Sequence, residues 1–245
     1  MSEPKTPQPR IIEENEWLIA IDKPPGLIAH SDGRTEEPSL AEWVGEHFPE
    51  LRGVGGAWVS PQGQPVPLNG LVHRLDRSTS GVMIAAKNDL VFDFVRDEFK
   101  RRLVEKKYLA WVYGRTTAEY GVTVAEIVRS TERPRRWYAR ACPISDPRAA
   151  VTEWRVRARH DEATFVEIAP KTGRTHQIRV HFSHIGHPLV ADHLYARERP
   201  PIMGFKRPAL HAQSIRLTLP DGTEKEFNAS EPIDFHQAMR GIIAS

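Results

Sequence analysis

The amino-acid sequence predicts an α+β fold, a mixed and mostly antiparallel sheet flanked by helices and loops. Three observations carry that prediction. Strand-like segments arrive as hairpin pairs, only a few stretches have helical spacing, and the regular strand–helix alternation of a doubly wound parallel sheet is missing. With 245 residues, 40% of them hydrophobic, the chain can bury a sizeable core as one large domain over residues 11–245, preceded by a flexible polar tail over residues 1–10.

Taken in order, Ile11 to Ile21 reads as a strand or short strand pair. It ends at Asp22-Lys23-Pro24-Pro25-Gly26, where two prolines and a glycine break regular pairing. Ser39 to Phe48 reads as a helix: Ser39 and Glu42 have capping-box spacing, and Leu40, Trp43, Val44 and Phe48 share a face. Gly53 to Pro67, rich in Gly and Pro, reads as a loop. Val82 to Lys87 is an apolar strand, Leu90 to Arg102 has helical spacing through Leu90, Val91, Phe94, Val95 and Phe99, and Tyr108 to Tyr113 is a strand. Val151 to Arg157 and Thr164 to Ile168 form a hairpin around His160-Asp161-Glu162, and Asp221-Gly222 turns a second hairpin between Ile215–Leu219 and Glu224–Phe227. No internal repeat is present.

The formal net charge of +2 hides an uneven distribution: residues 1–70 carry 5 Lys+Arg against 11 Asp+Glu, and residues 71–245 carry 29 against 21. A basic surface favours polyanions through counterion release, although solvated strand and helix faces give the same composition. The single cysteine, Cys142, excludes an internal disulfide, and the opening MSEPKTPQPR has neither a leader's apolar core nor a spanning segment. A cytoplasmic chain with no membrane association, acting as a monomer, is expected.

Two clusters concentrate chemistry. His73-Arg74-Leu75-Asp76-Arg77-Ser78-Thr79-Ser80-Gly81 stands directly before an apolar strand, where rigid scaffolds present reactive groups. Arg74 and Arg77 could hold Asp76 ionised for nucleophilic work, and the same residues equally make an ion pair and a turn. Lys171-Thr172-Gly173-Arg174-Thr175-His176-Gln177-Ile178-Arg179-Val180-His181 follows a strand and opens a helix, a place suited to an anion or simply to a capped polar face. His181, His184 and His187 recur every three residues, but Pro188 ends the helix and no acidic or cysteine ligand adjoins, so no metal is expected.

Together these segments resemble the RluA-type pseudouridine synthase family over about residues 11–230, with four blocks in the right order. Lys23-Pro24-Pro25-Gly26-Leu27-Ile28-Ala29-His30 looks like the first motif, and residues 73–81 match the catalytic motif. Lys107-Tyr108-Leu109-Ala110 resembles the tyrosine-bearing strand, and Gly173 to His181 matches the arginine-bearing motif; Leu210-His211-Ala212 also fits. The resemblance implies isomerisation of selected uridines in structured RNA, ribosomal or transfer, with base flipping and no cofactor. It makes Asp76 the catalytic aspartate and Arg179 the partner that keeps it charged and aimed. It has Tyr108 stack on the base and Ile178 pack against it, and has Arg74 fill the gap the flipped nucleotide leaves. His73, Arg174 and His176, within the same motifs, are expected to contact substrate.

One departure stands out. Where the family usually has glycine-aspartate and then tyrosine-glycine, this chain has Ala191-Asp192 and Tyr195-Ala196, which removes backbone freedom at two places. Residues 129–140 put five arginines around Trp137-Tyr138, a composition suited to RNA contact or to a solvated hairpin. The acidic stretch 31–70 is expected to lie away from the RNA backbone.

Overall fold

The computed structural model describes residues 8–33, 37–60, 62–131 and 136–243. Strand β1 (Arg10–Glu14) pairs antiparallel with β2 (Leu18–Lys23), and the Asn15 side chain closes the turn by accepting from the N–H groups of Trp17 and Leu18 at 2.9 and 2.8 Å. Strand β1 thus takes in Arg10, the last residue of the expected tail, and residues 1–7 of that segment lie outside the described residues. Helix α1 (Leu40–His47) opens on the predicted capping box: Glu42 N–H donates to Ser39 Oγ at 3.2 Å, and Ser39 N–H donates to Glu42 Oε2 at 2.9 Å. The stretch read as a loop holds a short hairpin, β3 (Ala57–Val59) and β4 (Pro65–Pro67). Its prolines hid it; in a two-stranded pair every strand is an edge, where a missing N–H is tolerated.

Strand β5 (Ser80–Ala86) is buried along all seven residues, and α2 (Asp89–Lys100) follows, its first turn closed by Asn88, whose side chain accepts from Val91 N–H at 3.0 Å. After β6 (Glu105–Tyr113) come β7 (Tyr120–Arg129) and β8 (Trp137–Arg140), a hairpin that takes in the solvated-hairpin alternative for residues 129–140 but starts earlier, in a strand the sequence reading leaves unassigned. Strands β9 (Ala149–Arg159) and β10 (Ala163–Pro170) form the expected hairpin, longer at both ends, and α3 (Gln177–His184) follows. Strands β11 (Leu210–Thr218) and β12 (Glu224–Asn228) pair as predicted around Asp221-Gly222, and an unpredicted helix, α4 (Ile233–Ile243), ends the fold. The α+β class is as expected.

These elements make two compact units, Met1–Glu105 with Ala212–Ser230, and Lys106–His211 with Glu231–Ser245. In the first, the strand order is β1-β2-β5-β11 with β12 on β11. Val91, Phe92 and Val95 of α2 pack on Leu18, Ala20, Val82, Ile84, Leu217 and Phe227, and each such burial contributes roughly 1.5–3 kcal/mol. In the second, the order is β6-β10-β9-β7-β8. Trp111, Phe165, Phe205 and Phe235 pack together there, and a separate cluster joins Ala110, Val166 and Ile168 to Ile178 and Phe182 of α3.

Candidate active site

In the first unit, the loop that carries Asp76 is held from several sides. Leu75 is buried, the Asp76 carbonyl accepts from Thr79 N–H at 3.0 Å, and the Arg77 carbonyl accepts from Gly26 N–H at 2.8 Å. Lys23, wholly buried, adds a charge-assisted bond from Nζ to that same Arg77 oxygen at 3.3 Å, and also donates to the carbonyls of Pro24 and Leu27 at 2.9 and 2.8 Å. The segment Lys23–Leu27 is therefore a clamp on the Asp76 turn. Its sharp bend needs Gly26, at φ +92°. On the far side of the turn, Gly81 has φ +117°, and an added Cβ would meet the Ala212 carbonyl oxygen at 2.1 Å, so a backbone approach excludes any side chain there.

The neighbours of Asp76 divide their work. Arg77 forms an ion pair with Glu37. The His73 ring stacks on Phe99 at 5.0 Å, and its Nε2 accepts from Ile84 N–H at 3.1 Å, which ties the start of the loop to β5. Arg74 is exposed and lines a cavity of about 320 Å³ with His30, Trp58 and Arg96. Burial, with the Arg74 charge second, pushes the His30 imidazole down to about 4.

In the second unit, Tyr108 on β6 is half-buried and packs against the apolar cluster to which Ile178 of α3 belongs, so residues from two separate motifs border one cluster. The helix begins at Gln177, and the residue before it, His176, is left-handed at φ +54°. Gln177 is buried and uses its whole amide: Oε1 accepts from Thr172 Oγ1 at 2.7 Å and Arg174 N–H at 3.0 Å, while Nε2 donates to the Val151 carbonyl and to Thr152 Oγ1, both at 3.0 Å. That staple fixes the loop that presents Arg174, whose side chain is exposed.

Arg179 is buried, and its Nε and Nη2 donate to Asp192 Oδ2 and Oδ1 at 2.7 and 2.9 Å, a two-pronged pair. The Tyr195 ring lies 5.1 Å from the same guanidinium, and the Tyr195 hydroxyl sits 2.9 Å from His176 Nδ1. Asp192 and Tyr195 were noticed in the sequence only as neighbours of two altered glycine positions. Ala191 does adopt φ +57°, the strained conformation that the family's glycine accommodates. The histidine triplet has structural bonds: His181 Nδ1 to Thr152 Oγ1 and His187 Nδ1 to the Tyr113 carbonyl, both 2.9 Å. Among the described residues no three His, Cys, Asp or Glu side chains gather to hold a metal ion.

Residues 17–184 match the family described as RNA pseudouridylate synthase. The chain belongs to that family. Its enzyme class is accordingly that of an RNA pseudouridine synthase, an isomerase. Among its relatives, ribosomal large subunit pseudouridine synthase D of Yersinia pestis is 32% identical over 96% of this chain and 70% of its own length. An uncharacterized RNA pseudouridine synthase of Synechocystis is 34% identical over 86% of the chain, which spans only 61% of that relative's length. In fold, human RNA pseudouridylate synthase domain containing 1 superposes with a TM-score of 0.71 at 24% identity, covering 94% of this chain and 87% of the human one. Among the described residues no helix is long and apolar enough to cross a membrane.

Proposed function

We propose that this pseudouridine synthase acts on ribosomal RNA of the large subunit, with Asp76 as its catalytic carboxylate, and that residues 11–245 serve as one catalytic domain. The observation that carries the residue assignment is the turn of Asp76 itself. A half-buried carboxylate stands on a loop whose next carbonyl is clamped by a buried lysine and a glycine N–H, the kind of rigid support a reacting group needs. The choice of RNA rests on relatives named for the large ribosomal subunit; transfer RNA is the alternative substrate.

The reaction breaks the bond from uracil N1 to the ribose C1′ and forms one from C5 to C1′. The proton on C5 is lost and N1 gains one, so atoms and electrons balance without an oxidant or an energy donor. Asp76 serves as the ionised group beside the sugar and base, Arg179 as its cationic partner, and Tyr108 with Ile178 as the surfaces that hold the detached uracil while it turns. Extruding the nucleotide costs a few kcal/mol of unstacking, which Arg74 offsets by entering the vacated space. Arg174 and His176 contact the RNA flanking the site, and His73 shapes the loop.

The test is pseudouridine mapping of ribosomal and transfer RNA from cells with and without the gene, complemented by wild type or by Asp76→Asn. Loss of a large-subunit modification, restored by wild type only, is the expected result. Full restoration by Asp76→Asn would remove the assignment of the carboxylate, and loss confined to transfer RNA would change the substrate.

A further inference from the structure

Asp192 and Tyr195 have no part in the reading above, yet both are built around Arg179. Asp192 is 1% exposed and Arg179 5%, so two opposite charges are removed from water together. A buried pair of this kind is a weak source of stability, because desolvation cancels most of the attraction; what a two-pronged geometry does supply is direction. Asp192 Oδ2 and Oδ1 take the Nε and Nη2 edge of the guanidinium. The Nη1 end is thereby oriented by the fork.

Asp192 is itself immobilised. Its Oδ1 also accepts from the N–H groups of Leu194 and Tyr195 at 3.0 and 3.2 Å, and its carbonyl accepts from Ala196 N–H at 2.7 Å. The compact turn that results places the Tyr195 ring against the guanidinium face, 5.1 Å from its centre, so the arginine is fixed at one edge by charge and over one face by an aromatic ring. The Tyr195 hydroxyl then reaches outward: it accepts from Trp137 N–H of β8 at 3.2 Å and shares a hydrogen bond with His176 Nδ1 at 2.9 Å. One side chain thus joins Arg179 to the helix start and to the main chain of the arginine-rich hairpin, whose residues 132–135 lie outside the described residues.

We propose that Asp192 and Tyr195 are positioning residues for Arg179: Asp192 sets the direction of its guanidinium, and Tyr195 ties that guanidinium to the main chain of β8. The proposal rests on the reading of Arg179 as the partner of the catalytic carboxylate.

The experiment is single-turnover release of tritium from a large-subunit ribosomal RNA transcript labelled at uridine C5, with purified full-length chain. Wild type, Asp192→Asn, Tyr195→Phe, Arg179→Lys and the two doubles with Arg179→Lys are compared. A misaimed group costs up to about 100-fold in rate, so Asp192→Asn is expected to lower the saturating rate by at least ~30-fold and Tyr195→Phe by about 3- to 10-fold, each with half-saturating RNA concentration within about 2-fold of wild type. In the Arg179→Lys background each further loss is expected to shrink to less than about 2-fold, because residues acting through one group are not additive. Equal losses in both backgrounds, or wild-type rates in the single variants, would overturn the positioning role. Should Asp192→Asn fail to fold, Tyr195→Phe, which removes only a hydroxyl, decides by the same comparison. An Arg179→Lys variant at full rate overturns the reading of Arg179 instead, and the two failures are distinct.

Discussion

The ammonium group of Lys23, wholly buried, bonds the carbonyl oxygen of Arg77 at 3.3 Å, one residue beyond Asp76. The lysine lies 54 residues earlier in the chain, so its side chain converts a distant turn into a support for the loop that carries Asp76. Its other two bonds close the Pro24–Leu27 bend, which in turn brings Gly26 N–H to the same Arg77 oxygen.

Lys23→Met keeps most of the volume and removes all three donations. Each buried carbonyl left without a partner costs about 1–3 kcal/mol, and Gly26 still serves one of them, so a loss of about 3 kcal/mol of unfolding free energy is expected. Urea unfolding of wild type and variant, with the slope unchanged, measures it; a difference under about 1 kcal/mol would mean that water replaces the ammonium group.

Ala191→Gly should stabilise the protein. Alanine at φ +57° carries a left-handed penalty of about 1–2 kcal/mol, and glycine gives back about 0.4–1 kcal/mol of it through a freer unfolded chain. A net gain of roughly 0.5–1 kcal/mol, read as a rise in Tm, is expected, with RNA turnover preserved because Asp192 keeps its place. An unchanged or lower Tm would show that the loop relaxes around alanine.

Stability should fall as the solution is acidified from pH 6.5 to 4. Burial pushes the His181 imidazole down to about 4, and His30 likewise, so between these limits the unfolded chain binds more protons than the folded one. The contribution is therefore complete above the unfolded value of 6.5 and lost as the pH falls toward 4, amounting to about 3 kcal/mol for each histidine. Unfolding free energies measured across this range should show the slope, and His181→Asn should remove about half of it. A flat profile in wild type would contradict the burial of both rings as neutral groups.

How much of this was legible before folding depends on distance along the chain. The Ser39–Glu42 capping box, the Asp221-Gly222 hairpin and the apolar period of α2 act over three or four residues, and each appears as read. The β7–β8 hairpin is legible only as one of two readings of residues 129–140, and the start of β7 is not legible at all, because Tyr120 and Val122 remain largely exposed, 79% and 58%, so no clean buried stripe marks the strand. Helix α4 follows Pro232, a normal helix opening, but its apolar side is defined by Phe205 and Arg207, far back in the chain. At the candidate site, the motif residues stood out as residue types, while the parts that hold them did not: Gln177 looked like an ordinary helix residue, and Asp192 like part of a loop.

By itself, then, the sequence determined the α+β class, the capping box of α1, the hairpins with strong turn residues and the motifs by which the family is recognised, because propensity, capping and periodicity are written in near neighbours. Only the tertiary structure decided that Lys23 clamps the Asp76 turn, that Arg77 faces Glu37, and that Arg179 is gripped by Asp192 and Tyr195. The physical reason is that a charged side chain meets its partner wherever the closed chain brings one, buried or at the surface, and for these pairs the partners stand 54, 40, 13 and 16 positions away.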